Sequence, residues 1–328
     1  MLTGRYPRDD DPFPLNRSMA EQKTPPFPPS LAIPFGILAV SAASVFVRYA
    51  QADGAPSLVI AAARITIAAA ILAPLVWRRH RPELRTLTRR ALGLALLSGV
   101  FLAIHFAVWI TSLEYTTVAS SVVLVTTTPL WVALLAPLTI REPLTRPVLL
   151  GMGLALLGGA IVALSDSCTL AGTSLVCPSF PAFVGGRAFL GDSLALAGAF
   201  AAAGYILAGR HLRGEMSLVS YIFLVYGMAA IVLLLVMFGS GQSPWGYAPR
   251  TYLWFVLLAL VPQLLGHSTF NWMLGYLPAA YVSVALLGEP IGSAVLAYFF
   301  LGEIPTVLML FGAFLILAGI YIASRQSN

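Results

Sequence analysis

The chain carries one pattern twice. Pro129 pairs with Pro290, Glu142 with Glu303, Gly151 with Gly312 and Gly158 with Gly319, all at an offset of 161 and without a gap. The match extends upstream, where Ser57-Leu58-Val59 recurs as Ser217-Leu218-Val219 at offset 160 and His105 recurs as His267 at offset 162. Each copy holds five apolar stretches, among them one with a histidine deep inside it, one broken by proline and ended by a glutamate, and one rich in glycine. An odd number of spans makes the second copy enter a membrane from the opposite side, and inverted repeats of that kind are a transporter architecture.

A membrane is required by composition. Hydrophobic residues make up 59% of the chain and charged residues 10%, against about 45–50% and about 25% in soluble domains. A bilayer-spanning helix needs about 20 mostly apolar residues. Ten such stretches stand near 31–50, 57–77, 91–112, 117–140, 144–164, 189–209, 217–239, 251–272, 279–301 and 305–323. Their length, and their richness in Leu, Ala and Val, exclude a membrane barrel, whose strands are about 10 residues of alternating polarity. The expected fold is an all-α integral membrane protein of ten transmembrane helices, arranged as two inverted five-helix repeats. The repeats occupy 31–164 and 189–323, joined by an extracytoplasmic loop at 165–188, with cytoplasmic tails at 1–30 and 324–328.

The net charge of +6 would suit nucleic acid if the basic residues lay on one surface, but their positions follow membrane topology instead. With the N-terminus inside, 15 of the 19 Lys and Arg fall in inner segments. Of the others, Arg187 and Arg250 fall in outer loops, while Arg48 and Arg64 lie within spans. Both termini are therefore expected in the cytoplasm, at the cell inner (plasma) membrane, with no nucleic-acid partner. The run from Arg78 to Arg90 reads as a lipid-facing topogenic loop. The proline-rich tail, with Asp9-Asp10-Asp11 and Pro25-Pro26-Phe27-Pro28-Pro29, is expected to be disordered, and Met19 is a second candidate start. Leu31 to Val47 is read as a span and not as a signal peptide, because the repeat needs it as partner of the sixth span. Cys168 and Cys177 sit in the extracytoplasmic loop, where an oxidising compartment allows a disulfide or two free thiols.

Pro129 and Pro290 lie near the centres of their spans. A mid-helix proline removes a backbone bond and kinks the helix, and Thr126-Thr127-Thr128 supplies hydroxyls for the freed carbonyls. The matched pair reads either as rocking hinges or as static packing kinks. Here the chain resembles the drug/metabolite transporter superfamily, in particular the EamA-type ten-helix permeases. The resemblance rests on Ser112-Leu113-Glu114-Tyr115-Thr116-Thr117-Val118-Ala119-Ser120, Thr128-Pro129-Leu130, Arg141-Glu142-Pro143-Leu144 and Gly151. In the second copy it rests on Gly288-Glu289-Pro290-Ile291, Leu301-Gly302-Glu303 and Gly312. It covers about residues 31 to 323. It implies two five-helix repeats around a central cavity opened alternately to each side, and most often export of small metabolites or drugs. Glu142 and Glu303 read as helix-start acids at the positive end of a dipole. Gly151, Gly153, Gly158, Gly159, Gly312 and Gly319 read as close helix contacts.

Few polar groups enter the apolar spans. A charge at mid-membrane costs about 2.5–3.5 kcal/mol on insertion scales, so such residues usually face a cavity and act there. Glu289, beside Pro290, is the candidate coupling acid, because burial disfavours the charged form of a carboxyl and lets it exchange protons. A helix-packing acid is the other reading. Arg64 and Arg48 have no basic counterpart in the second copy, which suits recognition of an acidic group; Arg48 also reads as snorkelling to the outer surface. His105 with Trp109, and His267 with Asn271, stand one turn apart on shared helix faces, suited to lining a cavity or to interhelical hydrogen bonds. Their spacing matches no zinc motif. The aromatic residues Tyr205, Tyr221, Tyr226, Trp131 and Tyr281 are assigned no role, since such residues commonly form interfacial belts.

The leading expectation is a secondary active transporter that exports a small amino-acid-like or drug-like metabolite by alternating access, with protons as coupling partner. An uncoupled exchanger or facilitator of an anionic metabolite is the alternative. An enzyme is a remote one, as no metalloprotease motif, nucleophile elbow or P-loop occurs. No cofactor or metal is expected. Ten spans hold both halves, so a monomer suffices, and a homodimer stays open.

Overall fold

The computed structural model describes residues 29–139, 146–165, 168–171, 174–277 and 279–324. Glu142 and Pro143, the tail before residue 29 with Met19, and residues 325–328 lie outside the described residues. In the first half α1 spans Pro29–Ala52, α2 Ser57–Leu75, α3 Arg81–Thr86, α4 Arg89–Ser112, α5 Val118–Val125, α6 Thr128–Thr139 and α7 Arg146–Ser165. A wide π-helical turn at Val76–His80 links α2 to α3. The second half has α8 at Phe180–Val184, α9 at Arg187–Leu212, α10 at Leu218–Gly239, α11 at Pro249–Leu258, α12 at Ser268–Met273, α13 at Ala279–Ala285, α14 at Gly288–Leu301 and α15 at Val307–Ser324. Between α11 and α12 the helix widens to π geometry over Ala259–His267, around Pro262, which has no N–H to give to the regular ladder.

Two departures from the sequence expectation are local. The fold is helical, but the connecting loop holds a short antiparallel hairpin, β1 (Thr169–Ala171) on β2 (Ser174–Val176). Cys168 and Cys177 flank that hairpin and are bonded to each other, and strand pairing is the conformation two chain segments adopt when their ends are held so close. The prolines also act differently from mid-helix kinks. Both spans are interrupted, one at Thr126–Thr127 and the other at Leu286–Leu287, and Pro129 and Pro290 sit in the first turn of the new helices α6 and α14. In that position the missing N–H leaves no bond unmade. The three threonines satisfy the break: Thr126 Oγ1 donates to Val122 O at 2.8 Å, Thr127 Oγ1 to Leu124 O at 2.7 Å and Thr128 Oγ1 to Val125 O at 2.9 Å.

Among the described residues, seven helical stretches are long and apolar enough to cross a membrane, and three shorter apolar helices lie at Leu149–Val162, Gly288–Leu301 and Val307–Gly319. Large apolar side chains such as Phe35, Leu138 and Phe299 are exposed on the outside of the bundle, the reverse of a soluble protein and the surface a lipid solvent favours.

Helix pairing follows the duplication. Counterparts meet directly where α2 packs on α10 and α7 on α15. The packing of α4 on α9 is matched by that of α1 on the π segment, and the packing of α5 and α6 on α9 by that of α1 on α14. The α7–α15 contact shows the pattern at atomic scale. A Cβ on Gly158 would stand 2.6 Å from Gly312 O, and one on Gly319 would stand 2.5 Å from Gly151 O. Gly158 and Gly319 are sequence counterparts, as are Gly312 and Gly151, so the two contacts are one contact made twice, as at a two-fold interface. Backbones approach this closely in lipid only where no side chain intervenes. Gly153 and Gly159 differ from the expectation: a Cβ on Gly153 meets nothing within 4 Å, and one on Gly159 makes only an ordinary contact, 3.6 Å from the Leu124 side chain.

Candidate functional site

A cavity opens where the broken and widened helices converge. It encloses about 770 Å³ of space between atoms, counted out through its mouth, and its wall includes His105, Trp109, Thr126, Pro129, Tyr205, His267, Asn271, Ser283 and Glu289. The walls come from both copies: α4 faces its counterpart segment, and the break before α6 faces the break before α14. Both half-helices begin at the cavity, which aims the positive ends of two helix dipoles at it.

Each lining group is held by bonds that cross between helices. His105 donates through Nδ1 to Gly198 O of α9 at 3.0 Å, which leaves Nε2 as the other ring position. Its ring stacks on Trp109 with centroids 6.0 Å apart and meets His267 edge-on at 6.5 Å. Asn271 accepts from Tyr205 Oη at 2.6 Å and donates to Tyr226 Oη at 3.3 Å, and Tyr226 in turn meets Ser268 Oγ at 3.2 Å. Glu289 occupies the first turn of α14, pressed against α1: Ser41 Oγ donates to Glu289 O at 3.4 Å, and a Cβ on Gly288 would stand 2.6 Å from Ile37.

Arg64 is wholly buried. Its Nη2 donates to Gln263 Oε1 at 2.9 Å and its guanidinium lies 4.1 Å over the Phe106 ring, while among the described residues it forms no ion pair. Phe106 meets the cavity-lining His267 edge-on at 5.3 Å, so Arg64 stands one ring behind the wall.

The structure thus brings Glu289, His105, Trp109, His267, Asn271 and Pro129 to one wall and Arg64 next to it. Pro290 is buried in the α14 turn behind Glu289, and the cysteine pair lies away in the loop. Arg48 does not snorkel free: Nη2 contacts Glu303 Oε1 at 3.2 Å and donates to Thr116 O at 3.1 Å. Glu303 caps a helix other than its own, accepting from Val118 N at the start of α5 at 2.8 Å.

Three groups escaped sequence reasoning. Tyr205 and Tyr226 resemble interfacial aromatics in a linear sequence, yet both are buried and hydrogen-bonded to Asn271 on the cavity wall. Gln263 was the legible one, a lone amide in an apolar span beside Pro262 and one turn before His267.

A helical membrane bundle with a cavity walled by both copies of a duplicated chain, apolar apart from a few polar groups, is the form of a membrane transporter, and comparison with known proteins agrees. Residues 30–164 and 189–325 each match the EamA-like transporter family, and the chain belongs to that family. An uncharacterized transporter of Archaeoglobus fulgidus is 31% identical over 100 residues, which is 30% of this chain and 34% of that protein, so the match spans about a third of the relative's length. A protein of known crystal structure shares the fold at a TM-score of 0.60 and 16% identity, over 90% of this chain and 96% of its own.

Proposed function

We propose that this transporter is a secondary active exporter of a small amino-acid-like or drug-like metabolite, working by alternating access and coupled to protons through Glu289. The seven long and three short apolar helices are read as ten spans, five per repeat, with the second repeat inverted, both termini cytoplasmic and the chain in the inner (plasma) membrane. The observation that carries the reading is the cavity, walled by matched breaks in both repeats and holding a carboxyl at the start of α14. Broken helices at a repeat interface are where transporters of this design place substrate and coupling ion. The breaks before α6 and α14, with Pro129 and Pro290 next to them, are the hinges. On the assigned topology the Arg48–Glu303 contact ties α1, α5 and α14 together at the outer face, so the outer side is the closed one.

Glu289→Gln tests the coupling. In inside-out vesicles the variant loses pH-driven accumulation of the metabolite that the intact protein exports, while its abundance and elution profile are unchanged. Undiminished pH-driven accumulation removes Glu289 from the coupling role.

A further inference from the structure

Unmade hydrogen bonds gather behind the cavity wall, and they belong to donors. Of the five N–H groups that a guanidinium offers, Arg64 gives one from Nη2 to Gln263, while among the described residues the buried Nε and Nη1 have no partner. Gln263, itself wholly buried, turns Oε1 to Arg64 and faces the Tyr226 hydroxyl with its amide nitrogen. On the wall itself, Trp109 lines the cavity, and among the described residues its buried Nε1 has no partner. Roughly nine in ten buried polar groups find a partner in folded proteins, so the unmade bonds of Arg64 just behind the wall and of Trp109 on it indicate an acceptor that the described residues do not supply. Electrostatics points the same way. Arg64 acts on Glu289, His105 and His267, it forms no ion pair among the described residues, and two half-helices aim their positive ends at the same space.

We propose that the cavity takes substrates bearing a carboxylate, and that Arg64, positioned by Gln263, is the residue that selects for it. The proposal rests on the transport reading of the cavity and adds the chemistry of the cargo. A guanidinium with free edges matches a planar carboxylate in two parallel hydrogen bonds, which a point charge cannot do. The apolar body of the cargo lies against Trp109 and Phe270 on the wall. With the carboxylate received at Arg64, Glu289 is left to be contested by a proton and by a cationic group on the same molecule, which is the competition that proton antiport requires.

The test is equilibrium binding to the purified full chain, with no gradient, of matched acids and amides: leucine and leucinamide, phenylalanine and phenylalaninamide, benzoate and benzamide. Charged hydrogen bonds of this kind set the expected preference for acid over amide at about tenfold or more. Arg64→Gln removes that preference and Arg64→Lys keeps part of it. The comparison of acid with amide on the unaltered protein stands even if Arg64→Gln fails to fold. Equal binding of acid and amide overturns the proposal, as does saturable binding of none of the acids or an undiminished preference in folded Arg64→Gln. The two readings fail separately. An acid that binds but is never moved overturns transport and leaves the site, whereas an exported metabolite with no acid group overturns the site and leaves transport.

Discussion

Glu303 and Arg48, 255 positions apart, share a contact of 3.2 Å that joins the two halves of the chain at one end of the bundle. The same carboxylate takes the N–H of Val118 at 2.8 Å, and Tyr49 Oη donates to Phe300 O at 2.9 Å alongside it. One acid therefore closes a three-helix junction. Partly exposed ion pairs contribute about 0.2–1 kcal/mol, and the amide bond to Val118 adds to that. Glu303→Gln is expected to open the junction in a larger fraction of molecules. In a Thr126→Cys background, where the thiol lines the cavity, an impermeant thiol reagent applied from outside should label the Glu303→Gln variant several-fold faster. Equal labelling would mean that the junction does not gate the cavity.

The glycine contacts between α7 and α15 give a paired prediction. Gly158→Ala places a methyl 2.6 Å from Gly312 O and should cost about 1–3 kcal/mol by overpacking. Gly153→Ala enters open space and should be neutral or stabilising, since alanine favours the helix. Thermal unfolding in detergent followed by size-exclusion distinguishes the two. Similar melting temperatures for both variants would contradict the close backbone approach.

Asn271 links Tyr205 and Tyr226 by its two ends. Asn271→Leu keeps much of the volume but strands the buried Tyr205 hydroxyl, at about 1–3 kcal/mol, and leaves Tyr226 with Ser268 alone at 3.2 Å. The expected outcome is a lower melting temperature together with lost transport. Tyr226→Phe, which leaves Ser268 bonded to Gln263 O at 3.3 Å, should be milder. Equal effects of the two variants would count against Asn271 as the centre of the network.

Much of the fold was legible because duplication constrains it. His105 and His267, found as counterparts by offset alone, do face each other at 6.5 Å, and Glu289 does reach the cavity. Other features depend on which way a side chain turns in three dimensions. Tyr205 could not be told from a belt residue until α9 was seen to turn it towards Asn271. The partner of Arg48 lay in the other repeat, beyond any local pattern. Pro129 looks like a kink because residue type alone does not say whether a helix bends or restarts; at this break three threonine hydroxyls bond the last carbonyls of α5, while its counterpart at Leu286–Leu287 restarts without them. Gln263 Oε1 is what holds Arg64, and a lone amide beside Pro262 and one turn before His267 is the signal the sequence offers for it.

The measurement that tests the central claim most directly is an unbiased comparison of metabolites in the medium of cells expressing the intact protein, Glu289→Gln, or an empty vector, at matched membrane abundance. The account predicts that one chemical class is enriched outside only with the intact protein, and that Glu289→Gln returns it to the empty-vector level. Media indistinguishable between the intact protein and the empty vector would contradict export, and enrichment that persists in Glu289→Gln would contradict coupling through that carboxyl.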